Sequence, residues 1–346
     1  MFHKFYCGDS IDVLKTIESD SIHCCVTSPP YWGIRDYGNN KQHGLEETPK
    51  EYVESLVKVF RELRRVMRHD SVLWLNMGDT FLSSQKGSGG RKSRLNVKRD
   101  EDGNEVKNST GNVRMPVRKF NIKKIGLPEK SLLGIPWRLA FALQDDGWVL
   151  RQDIIWNKTT TTPESAEDRC TRSHEYVFMF TKNKKYFFDS ESIREPDKEN
   201  LTGRIKRSVW TVDKNYKLFN HRAVMPLELA DICIRAGTSE KGCCSICNAP
   251  LKRVVDKKLP PYDFYTIPGK VKEWFVHNKR KTVTWIPSCK CDNTNFIPCT
   301  VIDPFCGSGT TIVSALNNNC NGIGIDLNEE YIKIAEGRVS TRENKK

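Results

Sequence analysis

Residues 300–311 read Thr-Val-Ile-Asp-Pro-Phe-Cys-Gly-Ser-Gly-Thr-Thr, and this stretch decides the fold that the sequence predicts. Its first four residues form a strand candidate that ends in the carboxylate of Asp303. Gly307 and Gly309 then allow the backbone to approach a ligand closely, and they lead into a helix whose N-terminus presents free N–H groups. A second strand candidate, Gly322–Asp326, again ends in an acid. Strand, turn, helix and strand together predict a nucleotide-type site at the C-terminal edge of a parallel sheet.

The chemistry of this motif indicates its ligand. A third glycine at dinucleotide-fingerprint spacing is absent, and so is the Gly-Lys-Ser/Thr of a phosphate-binding P-loop. The carboxylate of Asp303 would repel a pyrophosphate, but it would attract the amino group of a zwitterionic ligand. Asp326 is placed to accept hydrogen bonds from both hydroxyls of a ribose. An adenosine with a cationic amino-acid tail is therefore expected, which describes S-adenosylmethionine (AdoMet). The residues of this motif expected to bind it are Asp303, Pro304, Phe305, Gly307, Ser308, Gly309, Thr310, Thr311 and Asp326.

The rest of the chain alternates strand and helix signals, which predicts an α/β fold. Ile22–Thr27 is a buried-strand candidate, and it must stop at Ser28-Pro29-Pro30 because proline cannot continue a central ladder. Thr48 begins a helix as its N-cap, with Pro49 in the first helical position and Glu51 closing a capping box. The strands and helices expected elsewhere are Phe2–Cys7, Ile11–Ile17, Val72–Asn76, Ile135–Gln144, Val149–Trp156, Tyr176–Phe180 and Glu329–Gly337.

Charge and composition limit the function classes. The 346 residues carry 56 Lys and Arg against 43 Asp and Glu, a net charge of +13. A surplus of that size favours a polyanionic partner, since phosphate contacts supply most non-specific affinity for nucleic acid. A protein that is merely basic remains the alternative. The first five residues lack a signal-peptide layout, and no apolar run is long enough for a membrane span. Together with 13 cysteines, this predicts a protein of the reducing cytoplasm with no membrane partner.

A second motif, Thr27-Ser-Pro-Pro-Tyr-Trp-Gly33, identifies a resemblance when it is read with the AdoMet motif. The chain resembles the DNA amino-methyltransferases of bacterial and phage modification systems, which act on cytosine N4 or adenine N6. The catalytic motif precedes the cofactor motif, an order similar to the permuted, beta-type subgroup. The likeness covers nearly the whole chain. Further blocks similar to the family's are Gly8–Ser10, Lys130–Arg138, Gly147–Lys158, Asp168–Phe178 and His221–Pro226.

The resemblance implies a fold and a set of site residues. The fold is a Rossmann-like AdoMet-dependent methyltransferase fold, with a mostly parallel seven-stranded sheet in circularly permuted motif order. Ser28 and the Pro29 carbonyl would accept hydrogen bonds from an exocyclic amine and localise its lone pair, which is catalysis by preorganisation. Tyr31 would stack on a base rotated out of the duplex. The residues so implied are Ser28, Pro29, Pro30 and Tyr31 for catalysis, and Asp9, Ser10, His221 and Pro226 for the cofactor.

The expected activity is site-specific methyl transfer from AdoMet to double-stranded DNA. Serine at position 28 favours cytosine N4, and adenine N6 remains open because the same residues would do the same work. A cognate restriction endonuclease is a candidate partner. Two other functions stay in competition: an AdoMet enzyme with RNA or protein as acceptor, and a catalytically inactive DNA-binding regulator.

The cysteines between the two motifs predict a metal site. Cys244-Ser-Ile-Cys247 has zinc-knuckle spacing, and Cys289-Lys-Cys291 has a tighter one. Four thiolates would close a structural tetrahedral site and leave no open catalytic position. Cys243 and Cys299 are spare candidates, and free thiols are the alternative. The module would read or clamp DNA, or only brace the fold. The cysteines expected to be small apolar residues are Cys7, Cys24, Cys25, Cys170, Cys233, Cys306 and Cys320.

These expectations divide the chain into five segments. The catalytic half takes residues 1–82 and 126–237, the second of which includes a short target-recognition segment. Residues 83–125 are expected to form a basic mobile loop that is a candidate DNA contact. The zinc module takes residues 238–299, and the AdoMet-binding half takes residues 300–346.

Overall fold

The computed structural model describes residues 1–34, 39, 41–82, 122–161, 164, 166–195, 204–213, 225–256 and 281–343. Most of the expected basic loop and the predicted cofactor residue His221 lie outside these ranges. The strands are β1 (His3–Cys7), β2 (Ile22–Thr27), β3 (Met67–Met77), β4 (Val149–Asn157), β5 (His174–Thr181), β6 (Val209–Thr211), β7 (Cys243–Cys244), β8 (Lys252–Val255), β9 (Thr282–Ile286), β10 (Phe296–Ile297), β11 (Thr300–Asp303) and β12 (Asn321–Asp326).

Seven α-helices and one 3₁₀ turn, Ser190–Ile193, accompany these strands in the described ranges. None of the helices so described is long and apolar enough to cross a membrane. The helices are α1 (Ser10–Thr16), α2 (Pro49–Val66), α3 (Ile122–Ile125), α4 (Ile135–Asp145), α5 (Leu227–Gly237), α6 (Thr310–Asn317) and α7 (Glu329–Glu343).

One sheet organises the described part of the chain, in the order β1-β12-β11-β2-β3-β5-β4-β6. Its pairs are parallel from β1 through to β3 and again between β4 and β6, whereas β5 runs antiparallel to both of its neighbours. The predicted mostly parallel α/β fold is confirmed. The sheet has eight strands where seven were expected, because the three-residue edge strand β6 is too short to produce a sequence pattern.

Helices cover both faces of the sheet, so its central strands are buried on both sides. Cys24 and Cys25 are adjacent residues of β2 and point to opposite faces, since side chains alternate along a strand. Cys25 packs in the apolar layer with Leu14 of α1 and Leu56 of α2. Cys24 packs in the other layer with Leu229 of α5. Both thiols are fully buried, which confirms their prediction as small apolar residues.

The start of α2 matches its sequence signature. The Thr48 hydroxyl oxygen accepts a hydrogen bond from the Glu51 backbone N–H at 3.2 Å, and the Glu51 carboxylate accepts one from the Thr48 N–H at 3.1 Å. Pro49 occupies the first helical position. The capping box therefore provides acceptors for two backbone N–H groups that have no acceptor within the helix.

The segment predicted to be a zinc module, residues 238–299, is called the cysteine module. Its described residues form two small two-stranded sheets, β7 with β10 and β8 with β9. It packs against the amino ends of the central strands. The His23 Nε2 atom, at the start of β2, lies 2.9 Å from the Asn248 carbonyl oxygen. Arg68, at the start of β3, donates to the Cys247 carbonyl at 2.9 Å. The module thus lies at the opposite edge of the sheet from the carboxyl strand ends, about 17 Å away for a six-residue strand.

Removing the α2 cap should lower stability. Thr48→Ala leaves the Glu51 N–H without its side-chain acceptor, so we expect the free energy of unfolding to fall by about 1 kcal/mol in urea denaturation. Thr48→Ser is the matched control, because it keeps the hydroxyl and should stay within a few tenths of a kcal/mol of the original protein. Equal losses in the two variants would contradict the cap.

Candidate active site and cysteine cluster

A cavity of about 240 Å³ opens at the carboxyl ends of β2, β3, β11 and β12. It is bounded on one side by the Ser-Pro-Pro-Tyr loop and on the other by the glycine-rich turn, so the fold brings together two motifs about 275 residues apart in sequence. Parallel strands place their carboxyl ends at one edge, where ligands of open α/β sheets bind. The predicted site residues that line this cavity are Asp9, Ser10, Ser28, Pro29, Pro30, Tyr31, Asp303, Pro304, Phe305, Gly307, Ser308, Thr310, Thr311 and Asp326.

Two predicted cofactor residues of the described chain do not line it. Gly309 has φ +77, and a Cβ there would lie 2.7 Å from the Cβ of Ala335, so this glycine allows α6 to begin against α7. Pro226 is the N-cap residue of α5, and its neighbour Met225 lines the cavity instead. For both positions the sequence motif indicated the right turn, but it did not show which residue of the turn faces inward.

Asp303 joins the two halves of the cavity. Its Oδ1 accepts hydrogen bonds from the Thr27 hydroxyl at 2.6 Å and the Phe305 N–H at 3.0 Å. Its Oδ2 accepts one from the Thr311 hydroxyl at 2.7 Å. Burial raises the pKa of Asp303 to about 6, although these three donors lower it. A carboxylate has about four acceptor positions, so one remains for a ligand.

Asp326 fixes the glycine-rich turn from the neighbouring strand. Its Oδ2 accepts the Gly307 N–H and its Oδ1 accepts the Asn328 N–H, both at 2.9 Å. Burial raises the pKa of Asp326 as well. Gly307 has φ +49, the left-handed region that favours glycine. This carboxylate therefore holds the turn and also lines the cavity at the end of β12.

The start of α1 contributes the third wall. Asp9 is the N-cap, and its Oδ1 accepts hydrogen bonds from the Ile11 N–H at 2.9 Å and the Asp12 N–H at 3.3 Å. The Ser10 hydroxyl donates to the Pro304 carbonyl at 2.6 Å. The predicted residue Ser10 thus ties the N-terminal segment to the cofactor motif.

The Ser28–Tyr31 loop is held from outside by α2 and the segment before it. The Tyr52 hydroxyl donates to the Pro30 carbonyl at 2.7 Å. The indole N–H of Trp32 donates to the Glu46 carbonyl at 3.0 Å, and the Trp32 side chain is buried. Because two prolines also restrict its backbone, the loop keeps one shape next to the cavity.

Tyr31 takes part in a polar cluster that the sequence did not predict. Its hydroxyl lies 2.7 Å from Glu175 Oε2 and 3.3 Å from both Ser28 Oγ and Asn76 Oδ1. Burial, followed by the charge of Glu175, raises the pKa of Tyr31 well above its usual range. Gly78 lies against the ring, since a Cβ there would be 2.6 Å from Tyr31 Cε2. One side of the ring is therefore already packed against protein.

Glu175 and Asn76 are cavity residues that the sequence reading missed. Asn76 sits near the carboxyl end of β3, where polar residues of parallel strands are candidates for a site, so that signal was available. Glu175 is near the amino end of the antiparallel strand β5, which that rule does not cover. It forms an ion pair with Lys158, whose ammonium group lies 5.0 Å from the centroid of the Trp156 ring, another residue of the cavity wall.

The four predicted zinc ligands form one cluster. The Sγ atoms of Cys244, Cys247, Cys289 and Cys291 all lie within 4.8 Å of one another. Tetrahedral zinc with Zn–S bonds of about 2.3 Å needs S–S separations of roughly 3.8 Å, so the donor set fits this metal. Cys244 Sγ accepts hydrogen bonds from the Ile246 N–H at 3.4 Å and the Asn293 amide at 3.3 Å, as a thiolate does.

The spare cysteines do not join that cluster. Cys243 and Cys299 lie instead with His23 in a second buried group. The Thr300 N–H donates to His23 Nδ1 at 3.1 Å, so Nε2 carries the proton and donates to the Asn248 carbonyl. Because both ring nitrogens are engaged, this histidine holds the module to the sheet and is not a metal ligand.

This sheet order, with an acid at the end of β11, a glycine-rich turn and an acid at the end of β12, is the Rossmann-like fold of AdoMet-dependent methyltransferases. A family model described as DNA methylase, of N6 and N4 methyltransferases, matches residues 22–244 and 299–337. The chain belongs to this family.

Known proteins agree with that assignment. The type II methyltransferase M.SmaI of Serratia marcescens is 36% identical over 342 residues, which cover 98% of this chain and 91% of that protein. Among solved structures, the putative DNA modification methylase TTHA0409 of Thermus thermophilus, complexed with S-adenosyl-L-methionine, shares 18% identity over 98% of this chain and 93% of its own, with a TM-score of 0.52. The PvuII DNA methyltransferase (cytosine-N4-specific) has a TM-score of 0.58 at 16% identity, covering 98% and 86% of the two chains.

The raised pKa of Asp303 has a consequence for stability. The folded protein holds a proton on this carboxyl up to about pH 6, whereas the unfolded chain releases it near 4. Its contribution is therefore present at low pH and is lost as pH rises through 6, on the order of 3 kcal/mol in all. Asp303→Asn abolishes the titration, so the stability of the original protein relative to this variant should fall between pH 4.5 and 7.5 in urea denaturation. If the stabilities of the original protein and of Asp303→Asn change equally over this pH range, the buried titration of Asp303 is excluded.

Proposed function

We propose that the protein is an AdoMet-dependent, site-specific DNA methyltransferase that transfers a methyl group to the exocyclic N4 of cytosine. The single observation that carries this proposal is the shared cavity, in which the Ser28–Tyr31 loop faces the glycine-rich turn 303–311. The family assignment and the net charge of +13 support DNA as the substrate. The order of the two motifs supports a beta-type, permuted enzyme.

AdoMet would occupy the half of the cavity formed by the ends of β11 and β12. The remaining acceptor position of Asp303 suits the amino group of its methionine part, and Asp326 suits the ribose hydroxyls. Asp9 and Phe305 line the wall nearby, as expected for contacts to the adenosine. When bound, AdoMet supplies a methyl group activated by a positively charged sulfur, and methyl transfer needs no metal in this site.

The target amine would enter on the side of the catalytic loop. Its lone pair is delocalised into the ring, so the amine is a poor nucleophile until two acceptors draw its N–H groups out of the ring plane. Ser28 and Pro29 both line the cavity, which supports this role for the Ser28 hydroxyl and the Pro29 carbonyl. Because Pro29 and Pro30 fix the loop, the geometry is preorganised before the base arrives. The ring of Tyr31 is left to contact the base on the side away from Gly78.

Serine at position 28 favours cytosine over adenine, and adenine N6 is the second candidate because the same acceptors serve either amine. M.SmaI is described as a type II methyltransferase, and this likeness supports a site-specific modification enzyme with a cognate restriction endonuclease as its partner. A catalytically inactive regulator is disfavoured, because the catalytic loop and both cofactor carboxylates are intact and line one cavity.

A product assay tests the proposal. Tritiated AdoMet and PCR-amplified, unmodified bacterial genomic DNA are incubated with the protein, and the DNA is digested to nucleosides for mass spectrometry. The expected product is N4-methylcytosine. N6-methyladenine would show that the target base is adenine, and unlabelled DNA would contradict the proposal that the protein is a DNA methyltransferase. Ser28→Ala should lower transfer at least 100-fold, since it deletes one acceptor. AdoMet affinity, measured by calorimetry, should change less than about twofold; loss of both together would contradict the separate roles.

We also propose that the cluster of Cys244, Cys247, Cys289 and Cys291 holds one structural zinc ion. All four ligands come from the cysteine module, and no open position remains for catalysis. His23 and Arg68 contact this module at the amino ends of β2 and β3, which supports a position for the ion away from the cavity. Its function is therefore to brace the fold and not to read the target base.

Metal analysis checks this site directly. Elemental analysis of the purified protein should give about one zinc per chain, and Cys247→Ser should lower that content and the thermal unfolding temperature together. Cys170→Ser is the matched control, because this exposed thiol lies outside the cluster and should leave both values unchanged. A zinc-free protein of normal stability would exclude the site.

A further inference from the structure

The polar cluster around Tyr31 has a fixed direction of hydrogen bonding. A carboxylate can only accept, and Glu175 Oε2 is the nearest partner of the Tyr31 hydroxyl, at 2.7 Å. Tyr31 has a single proton, so it donates that proton to Glu175. Its oxygen then faces Ser28 Oγ, at 3.3 Å, as an acceptor. The Ser28 proton therefore points to Tyr31, and the Ser28 lone pairs are left for the cavity.

We propose that Glu175 is a positioning residue for methyl transfer: acting through Tyr31, it makes Ser28 an acceptor for the target amine and receives the proton that the amine loses. This inference rests on the proposed role of Ser28 in the function described above. It assigns a task to Glu175, which lines the cavity, pairs with Lys158 and belongs to neither sequence motif.

The side chains around Glu175 donate to it, so both of its carboxylate oxygens act as acceptors. Lys158 of β4 pairs with its Oε1. The Asn76 amide of β3 donates to its Oε2 at 3.1 Å and to the Tyr176 carbonyl at 3.1 Å, which fixes the orientation of that amide. The environment on this side is cationic: partial burial, together with the charges of Arg172 and Lys158, holds the pKa of the adjacent His174 below its usual value. Lys158, Asn76 and Tyr31 therefore all donate to the Glu175 carboxylate.

The same hydrogen bonds, from Ser28 through Tyr31 to Glu175, can carry one proton away from the target amine. As the new nitrogen–carbon bond forms from the nitrogen lone pair, the methyl–sulfur bond breaks and its electron pair stays on sulfur. The target nitrogen is then positively charged and must lose a proton. That proton passes to Ser28 Oγ, the Ser28 proton passes to the Tyr31 oxygen, and the Tyr31 proton passes to the Glu175 carboxylate, which becomes neutral and later releases it to water. The three groups return to their starting state.

Replacing Glu175 by an uncharged side chain tests the direction of the hydrogen bonds from Ser28 through Tyr31 to Glu175. Glu175→Gln keeps the size of the side chain but can donate to Tyr31 and carries no charge. We expect the single-turnover rate on unmodified PCR-amplified DNA to fall on the order of 100-fold, with AdoMet affinity by calorimetry changed less than about twofold. Asp189→Asn is the matched control, because Asp189 is also a largely buried carboxylate in an ion pair, with Arg253 at 2.9 Å, but lies outside the cavity. It should lower the unfolding temperature and leave the rate unchanged.

A rescue separates positioning from mere structural support. Asn76 Oδ1 is the other acceptor near the Tyr31 hydroxyl. The double variant N76D/E175Q therefore moves the carboxylate from position 175 to position 76, where it can still accept the Tyr31 proton. The single-turnover rate of this double variant should be at least tenfold higher than that of Glu175→Gln, although the ion pair between Lys158 and position 175 is not restored. Tyr31→Phe should be slow, and adding Glu175→Gln to it should cost less than a further threefold, because Glu175 acts through that hydroxyl.

The outcomes are distinguishable from those of the proposed function. If Ser28→Ala is inactive but Glu175→Gln keeps its rate within threefold, the catalytic loop stands and the role of Glu175 is overturned. A double variant no faster than Glu175→Gln, or additive losses with Tyr31→Phe, would overturn it as well. Should Glu175→Gln unfold, the rate of N76D/E175Q decides, since a folded but inactive double variant is also contrary to the proposal. An active Ser28→Ala would instead refute the loop itself.

Discussion

The buried carboxylate of Asp303 is the point on which the rest of the site depends. It accepts the hydroxyl of Thr27 at 2.6 Å and that of Thr311 at 2.7 Å, and so joins the last residue of β2 to the start of α6. The parallel pairing of β11 with β2 places these groups side by side. One cavity therefore holds the Ser28–Tyr31 loop and the glycine-rich turn, and a carboxylate whose pKa is raised to about 6 lies between them.

The two edges of the sheet have different tasks. At the carboxyl ends, the loops that follow the parallel strands leave polar groups facing a cavity, which is where ligands of open α/β sheets bind. At the amino ends, the cysteine module closes over β2 and β3 through His23 and Arg68, both of which are buried. The zinc ion proposed for the four cysteines would therefore lie at the opposite edge of the sheet from the cavity.

Most regular elements could be predicted from the sequence, because their signals are local. The strand Ile22–Thr27 and the capping box at Thr48 were both predicted at their observed bounds, since apolar runs, prolines and caps act within a few residues. The edge strand β6 was not predicted, because three residues carry no periodicity. Within the site, Gly309 and Pro226 do not line the cavity whereas their neighbours do, because a motif does not show which side of a turn faces inward.

The sequence by itself determined which chemical groups are available: the Ser-Pro-Pro-Tyr loop and the glycine-rich turn are contiguous, and the four cysteines come in two close pairs. Only the tertiary structure decided which of these groups meet. It placed the cysteine module at the far edge of the sheet, and it brought Glu175, on an antiparallel strand 144 residues from Tyr31, to 2.7 Å from that hydroxyl. The physical reason is that strand pairing is non-local: neighbours in a sheet are chosen by the burial of whole faces, and no local pattern records which side chains then come into contact.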